Sequence, residues 1–128
     1  MAILAMMFAA ASASAECPPA EQAALEKFDH DWGDASQAGD RAALDKMLGA
    51  DFRDLAPDGG GDKATNIENA VKASAAAKAN PNQIKTTSDH YRIQCSSASA
   101  TITHRNVLEL KGADGKEFKL EPPVGEEL

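Results

Sequence analysis

Most of the features that announce a function are missing from this 128-residue chain. It has no run of Lys and Arg, and 13 basic against 20 acidic side chains leave a formal charge of −7. Binding to phosphate backbones or anionic lipid needs clustered cations, so nucleic acid and acidic membranes are excluded as partners. No apolar run approaches the roughly 20 residues that span a bilayer as a helix, so no stable membrane anchor is expected. No glycine loop is followed by Lys-Ser or Lys-Thr. Gly59-Gly60-Gly61 lacks that pair and the strand-to-helix setting, which argues against nucleotide binding. Ser, His and Asp do not occur in a triad order. Aromatic residues make up only 5% of the chain, so the core has few large side chains and stability is expected to be modest. Cysteines number two, too few for a thiolate metal site.

The chain opens with MAILAMMFAAASASA, apolar and then small, ending in Ala13-Ser14-Ala15. That pattern predicts an export signal over residues 1–15 and a mature start at Glu16, hence a periplasmic or secreted protein. The alternative is a buried N-terminal helix. Cys17 is not a lipid-attachment site, because Glu16 stands where a small residue is needed. In an oxidising compartment Cys17 and Cys95 read as a disulfide tying the front of the first helix to a later strand; the alternative leaves both unpaired, with Cys95 buried.

Leu25, Phe28, Trp32 and Ala35 are spaced three, four and three apart, the signature of one buried helical face. Gly39 can end that helix in a left-handed turn, and Asp40 can cap a second one carrying Leu44, Met47 and Leu48, closed by Gly49. Asp51-Phe52-Arg53-Asp54-Leu55 alternates like a half-buried strand, and Pro57-Asp58-Gly59-Gly60-Gly61 makes a turn. Asp62 or Thr65 starts a third helix with a narrow small-residue face at Ile67, Ala70, Val71, Ser74 and Ala75. From Ile84 the period becomes two. Ile84 to Cys95 and Ala100 to Lys111 are predicted antiparallel strands, with Tyr91, Ile93 and Cys95 on one face of the first and Ile102, His104, Asn106, Leu108 and Leu110 on one face of the second. Gly112 to Gly115 turns the chain into a further strand, Lys116 to Leu120. The last eight residues hold two prolines and three acids, so residues 121–128 read as an irregular tail.

Trp32, Ala35, Gly39-Asp40, Leu44, Leu48, Asp51-Phe52 and Pro57-Asp58-Gly59 together form the pattern W…A…GD…L…L…DF…PDG. It resembles the opening of the nuclear transport factor 2-like superfamily, in its bacterial SnoaL-like branch. The resemblance covers residues 16–120 as one domain. It implies an α+β fold in which a cone-shaped, curved antiparallel sheet packs on about three helices around a pocket, here with the last strands missing. It further implies a small apolar molecule as ligand, or dimerisation through the sheet, and needs no cofactor. Trp32, Phe52, Tyr91, Ile102, Asn106 and Leu108 would line the pocket, although Trp32 and Phe52 serve equally as core.

Catalytic members of that superfamily place an acid or base inside the cone, next to a carbonyl. Here Ala56 falls where the isomerase base would stand, flanked by Asp54 and Asp58, and this departure favours binding over catalysis. The alternative is a cofactor-free isomerase or lyase using His104 with Asp54 or Asp58. His104 is inward only if its strand turns Ile102 and Leu108 inward too; in the opposite register Thr101, Thr103, Arg105, Val107 and Glu109 face the interior. Otherwise His104 is a structural histidine. Asp29-His30-Asp31 resembles a metal cluster, but neighbouring helical residues point about 100° apart and cannot converge on one ion, so no metal is expected.

Overall fold

The computed structural model describes residues 15–55 and 60–123. The first fourteen residues of the expected export signal, the turn residue Asp58 and the last five residues lie outside them.

Helix α1 runs Pro19–Ala38, with proline at the first position, where its missing N–H is no loss. It ends at Gly39, whose φ of 65° is the left-handed turn its lack of a side chain permits. The Asp40 N–H closes that turn on the Ala35 carbonyl at 2.9 Å. Asp40 then accepts the Ala43 N–H at 3.0 Å and caps α2, Arg41–Met47. Gly49 does not close this helix. The chain is already extended at Leu48, which leaves the helix to join the core.

The expected strand over Asp51–Leu55 shrinks to β2, Arg53–Asp54, paired with β3, Gly61–Asp62. Phe52 is drawn instead against Trp32, with rings at 6.0 Å and nearly perpendicular. Asp62 accepts the Thr65 N–H at 2.9 Å and caps α3, Lys63–Ala79.

Leu44, with no exposed surface, centres a core with Ala35, Leu48 and Ile67, flanked by Trp32, Met47, Phe52, Ala70 and Val71. The small face of α3 lets α1 approach closely: a β-carbon on Gly39 would lie 2.9 Å from the Ser74 Cβ. Ala75, expected on that face, is exposed. Phe28, expected on the buried face of α1, is 41% exposed.

The main sheet has four antiparallel strands in the order β1 (Ala15–Glu16), β4 (Gln83–Cys95), β5 (Ala100–Lys111) and β6 (Glu117–Leu120). The class is therefore α+β, with an open sheet rather than a closed barrel. Ala15, assigned by sequence to the export signal, pairs with Cys95. Next to it the disulfide Cys17–Cys95 joins the start of α1 to the end of β4, with Cα atoms 4.9 Å apart.

Strands β4 and β5 pair along their length except at a bulge, where His90 and Tyr91 stand opposite His104 alone. One face of this sheet carries Ser88, Tyr91, Ile93, Ile102, His104 and Asn106. The other carries Asp89 and Arg105, joined by a two-pronged ion pair at 2.7 and 2.8 Å. That second face is not simply solvated, since it also contains the buried Val107. Beyond α1 the first face continues into Ile84, Leu110, Phe118 and Leu120, all exposed. Residues 121–123 form no strand.

Candidate functional site

Beyond the disulfide at its start, helix α1 meets the sheet through Gln37 and through Asp29. At its end, the Gln37 amide donates to the Thr86 carbonyl at 3.0 Å and accepts the Thr86 N–H at 3.2 Å, so that one side chain pairs with the β4 edge as a strand would. Eight residues earlier, about two helical turns, Asp29 turns inward and meets Tyr91 and His104.

Asp29 Oδ2 is the hub of this junction. It accepts the Tyr91 hydroxyl at 2.8 Å and lies 3.3 Å from His104 Nε2, an ion pair whenever the imidazole is protonated. The Asp29 side chain is 13% exposed and that of His104 26%, so both are sheltered yet reachable. No described residue donates a hydrogen bond to Asp29 Oδ1. The rings form a row of tilted contacts, His30 to Tyr91 at 5.0 Å and Tyr91 to His104 at 5.4 Å. Burial, and then the hydrogen bond to Asp29, push the Tyr91 phenol up to about 12, so Tyr91 is a fixed O–H donor across the neutral range.

The bulge builds this arrangement. His90 sits at φ 51°, in the left-handed region that costs a non-glycine residue about 1 kcal/mol. The extra residue keeps Tyr91 on the α1 side while turning Asp89 to the opposite face.

A cleft of about 410 Å³ opens between the second half of α1 and the sheet. Asp29, Trp32, Gln37, Ser88, His104 and Asn106 are among its lining residues. The Trp32 ring forms an apolar wall, and its buried Nε1–H has no partner among the described residues. Arg105 donates to the Pro122 carbonyl at 3.1 Å, and beside that contact runs a larger groove of about 680 Å³ along β5, lined by Leu108, Pro122 and Pro123 and also touching His104.

Of the residues singled out by sequence, the structure brings together Trp32, Tyr91, His104 and Asn106. Phe52 lies behind Trp32 against the core rather than in the cleft. Ile102 pairs with Ile93 across the sheet, and Leu108 lines the larger groove along β5. Asp54 is not near His104: it sits in the small β2–β3 sheet, where its Oδ2 accepts from Asn66 at 3.2 Å. Asp58 falls outside the described residues.

In the sequence Asp29 stands out only as part of an apparent metal cluster. The three side chains of that cluster diverge, Asp29 to the sheet, His30 toward Glu26 at 3.9 Å, and Asp31 to Lys27. A single inward acid on a polar helical face leaves no trace in a helical period, and the spacing of eight from Gln37 is the only available signal. Among the described residues no helix is long and apolar enough to cross a membrane. Comparison with protein-family models, with curated proteins and with solved structures finds no match to this chain.

Proposed function

We propose that this chain binds a small molecule in the cleft between α1 and the sheet, with a ring of the ligand against Trp32 and a polar group on the Asp29–His104 couple. The observation that carries this reading is Asp29 Oδ2, which gathers Tyr91 and His104 at the cleft floor while Oδ1 receives no hydrogen bond from the described residues. A carboxylate sheltered in this way takes hydrogen-bond donors, and an incoming N–H or O–H supplies one to Oδ1, while a ligand carbonyl can accept from the His104 imidazole. The cleft is more polar than the apolar cone expected from the resemblance to the nuclear transport factor 2-like superfamily. The ligand is accordingly a small ring compound bearing a carbonyl or hydroxyl rather than a hydrocarbon. The cone fold and membership of that superfamily remain part of this reading, supported by the helix–helix–strand–helix–sheet order. Export is supported by the apolar leader and the disulfide.

The test is calorimetric titration with 2-cyclohexen-1-one and phenol. Saturable binding that falls at least tenfold in His104→Ala and in Asp29→Asn is expected; binding indifferent to both substitutions refutes the reading.

The contact between an imidazole and a carboxylate favours a second reading, a cofactor-free isomerase or lyase. His104 would remove or deliver a proton next to the ligand carbonyl, Asp29 would hold the imidazole, and Tyr91 would fix Asp29. Asp54, far from this couple, has no part in it. Protein-dependent deuterium uptake at the carbon beside the carbonyl, in heavy water and lost in His104→Ala, is the expected signature. Its absence with ligand bound leaves a binding protein.

A further inference from the structure

Strand β6 is the outer strand of the sheet, and all four of its residues, Glu117, Phe118, Lys119 and Leu120, are exposed. The Gly112 N–H donates to the Lys116 carbonyl at 2.8 Å, which makes that pair a hydrogen-bonded one. Hydrogen-bonded pairs in an antiparallel ladder recur every second residue, so Phe118 and Leu120 turn their backbone groups to Leu110 and Leu108 of β5. Glu117 and Lys119 therefore turn theirs to an edge that no described strand covers. The chain does not run back along that edge at once: Arg105 holds the Pro122 carbonyl, so residues 121–122 turn toward β5.

We infer that a second copy of this chain pairs with β6 across a two-fold axis at Phe118, joining the two sheets edge to edge. In that register Glu117 stands opposite Lys119 of the second copy, and Lys119 opposite its Glu117, each pair also exchanging backbone hydrogen bonds. The two Phe118 rings meet on the other face, where this side chain is 64% exposed and continuous with Ile84, Leu110 and Leu120. Charge selects this register. Shifting by two residues in one direction sets Glu117 against Glu117; in the other it sets Lys119 against Lys119 and Glu117 against Glu121. Like charges directly opposite destabilise a strand pair by about as much as unlike charges stabilise it. An isologous contact of this kind closes on itself and leaves no edge for a third copy. It covers less than the roughly 1,200 Å² of a stable interface, so the dimer is concentration-dependent.

Sedimentation equilibrium of the full chain tests this, with Glu117→Lys, Lys119→Glu and the double variant carrying both. Each single variant should weaken dimerisation roughly ten- to thirty-fold, since both symmetry-related pairs turn repulsive. The double variant restores opposite charges and should return to wild-type behaviour. Phe118→Cys should form a disulfide-linked dimer on mild oxidation, because directly opposed β-carbons lie about 5 Å apart. A chain monomeric up to about 1 mM, the weak end of specific association, overturns the proposal. So does a dimer that ignores the single reversals or is not restored by the double one.

Discussion

Removing the disulfide should have the largest effect of any change away from the cleft. Cys17 and Cys95 are separated by 78 positions, so the bridge closes most of the described chain into one loop. In the chain-entropy account a loop of that length is worth about 4.5 kcal/mol at 25 °C, all of it exerted on the unfolded state. Net stabilities of small domains are about 5–15 kcal/mol, and among the described residues Leu44 is the only fully buried large side chain of this core. The bridge thus supplies a large share of the total. The variant to compare is Cys17→Ala/Cys95→Ala, because Cys17 is buried and serine there would add an unpaired hydroxyl. Urea unfolding can be followed by the fluorescence of Trp32, the single tryptophan. The stability extrapolated to water should fall by about 4–5 kcal/mol, the melting temperature by roughly 15–25 °C. The slope itself should rise, because the unbridged chain unfolds to a more open ensemble. A loss below about 1.5 kcal/mol at unchanged slope refutes the argument, and shows that the bridge does little more than pin β1.

Single residues supply three more tests. Gly39→Ala forces a β-carbon into the left-handed turn and to within 2.9 Å of Ser74; it should cost about 1–3 kcal/mol by urea unfolding. Ser74→Ala removes a buried hydroxyl that has no partner among the described residues and should be neutral or stabilising by up to about 1 kcal/mol in the same assay. Tyr91 gives a pH dependence of known sign. Its phenol is pushed up to about 12 from 10.0, so the folded state holds the proton where the unfolded state releases it. This contribution is complete below pH 10 and is lost as pH rises from 10 toward 12. Tyr91→Phe should flatten the stability profile over that window, and an unchanged slope there contradicts the assigned environment.

Local signals are legible in the sequence where one residue type answers one backbone need. Gly39-Asp40 marks the break between α1 and α2 because glycine accepts the left-handed turn and aspartate caps the next helix. Strands β4 and β5 are legible from their two-residue period, and the cysteine pair from its number and setting. The features that escape depend on contacts between distant elements. Asp29 reads as one more solvated acid until β4 and β5 bring Tyr91 and His104 beneath it. A strict period of two also places Asp89 on the Tyr91 face, and only the inserted residue at the bulge separates them. Phe28 fits the apolar stripe of α1, yet it stays 41% exposed. Asp54 does not join His104 on the main sheet, because its strand forms only two paired residues, in a sheet of its own.

The most direct measurement of the central claim is backbone and Trp32 indole chemical-shift mapping on titration with 2-cyclohexen-1-one, in the wild type and in Asp29→Asn. The account expects the signals of Asp29, Trp32, Tyr91, His104 and Asn106 to move together along one saturable curve, and to stay still in the variant. Shifts confined to the exposed Ile84–Leu110–Phe118 face, or unchanged by Asp29→Asn, would contradict it.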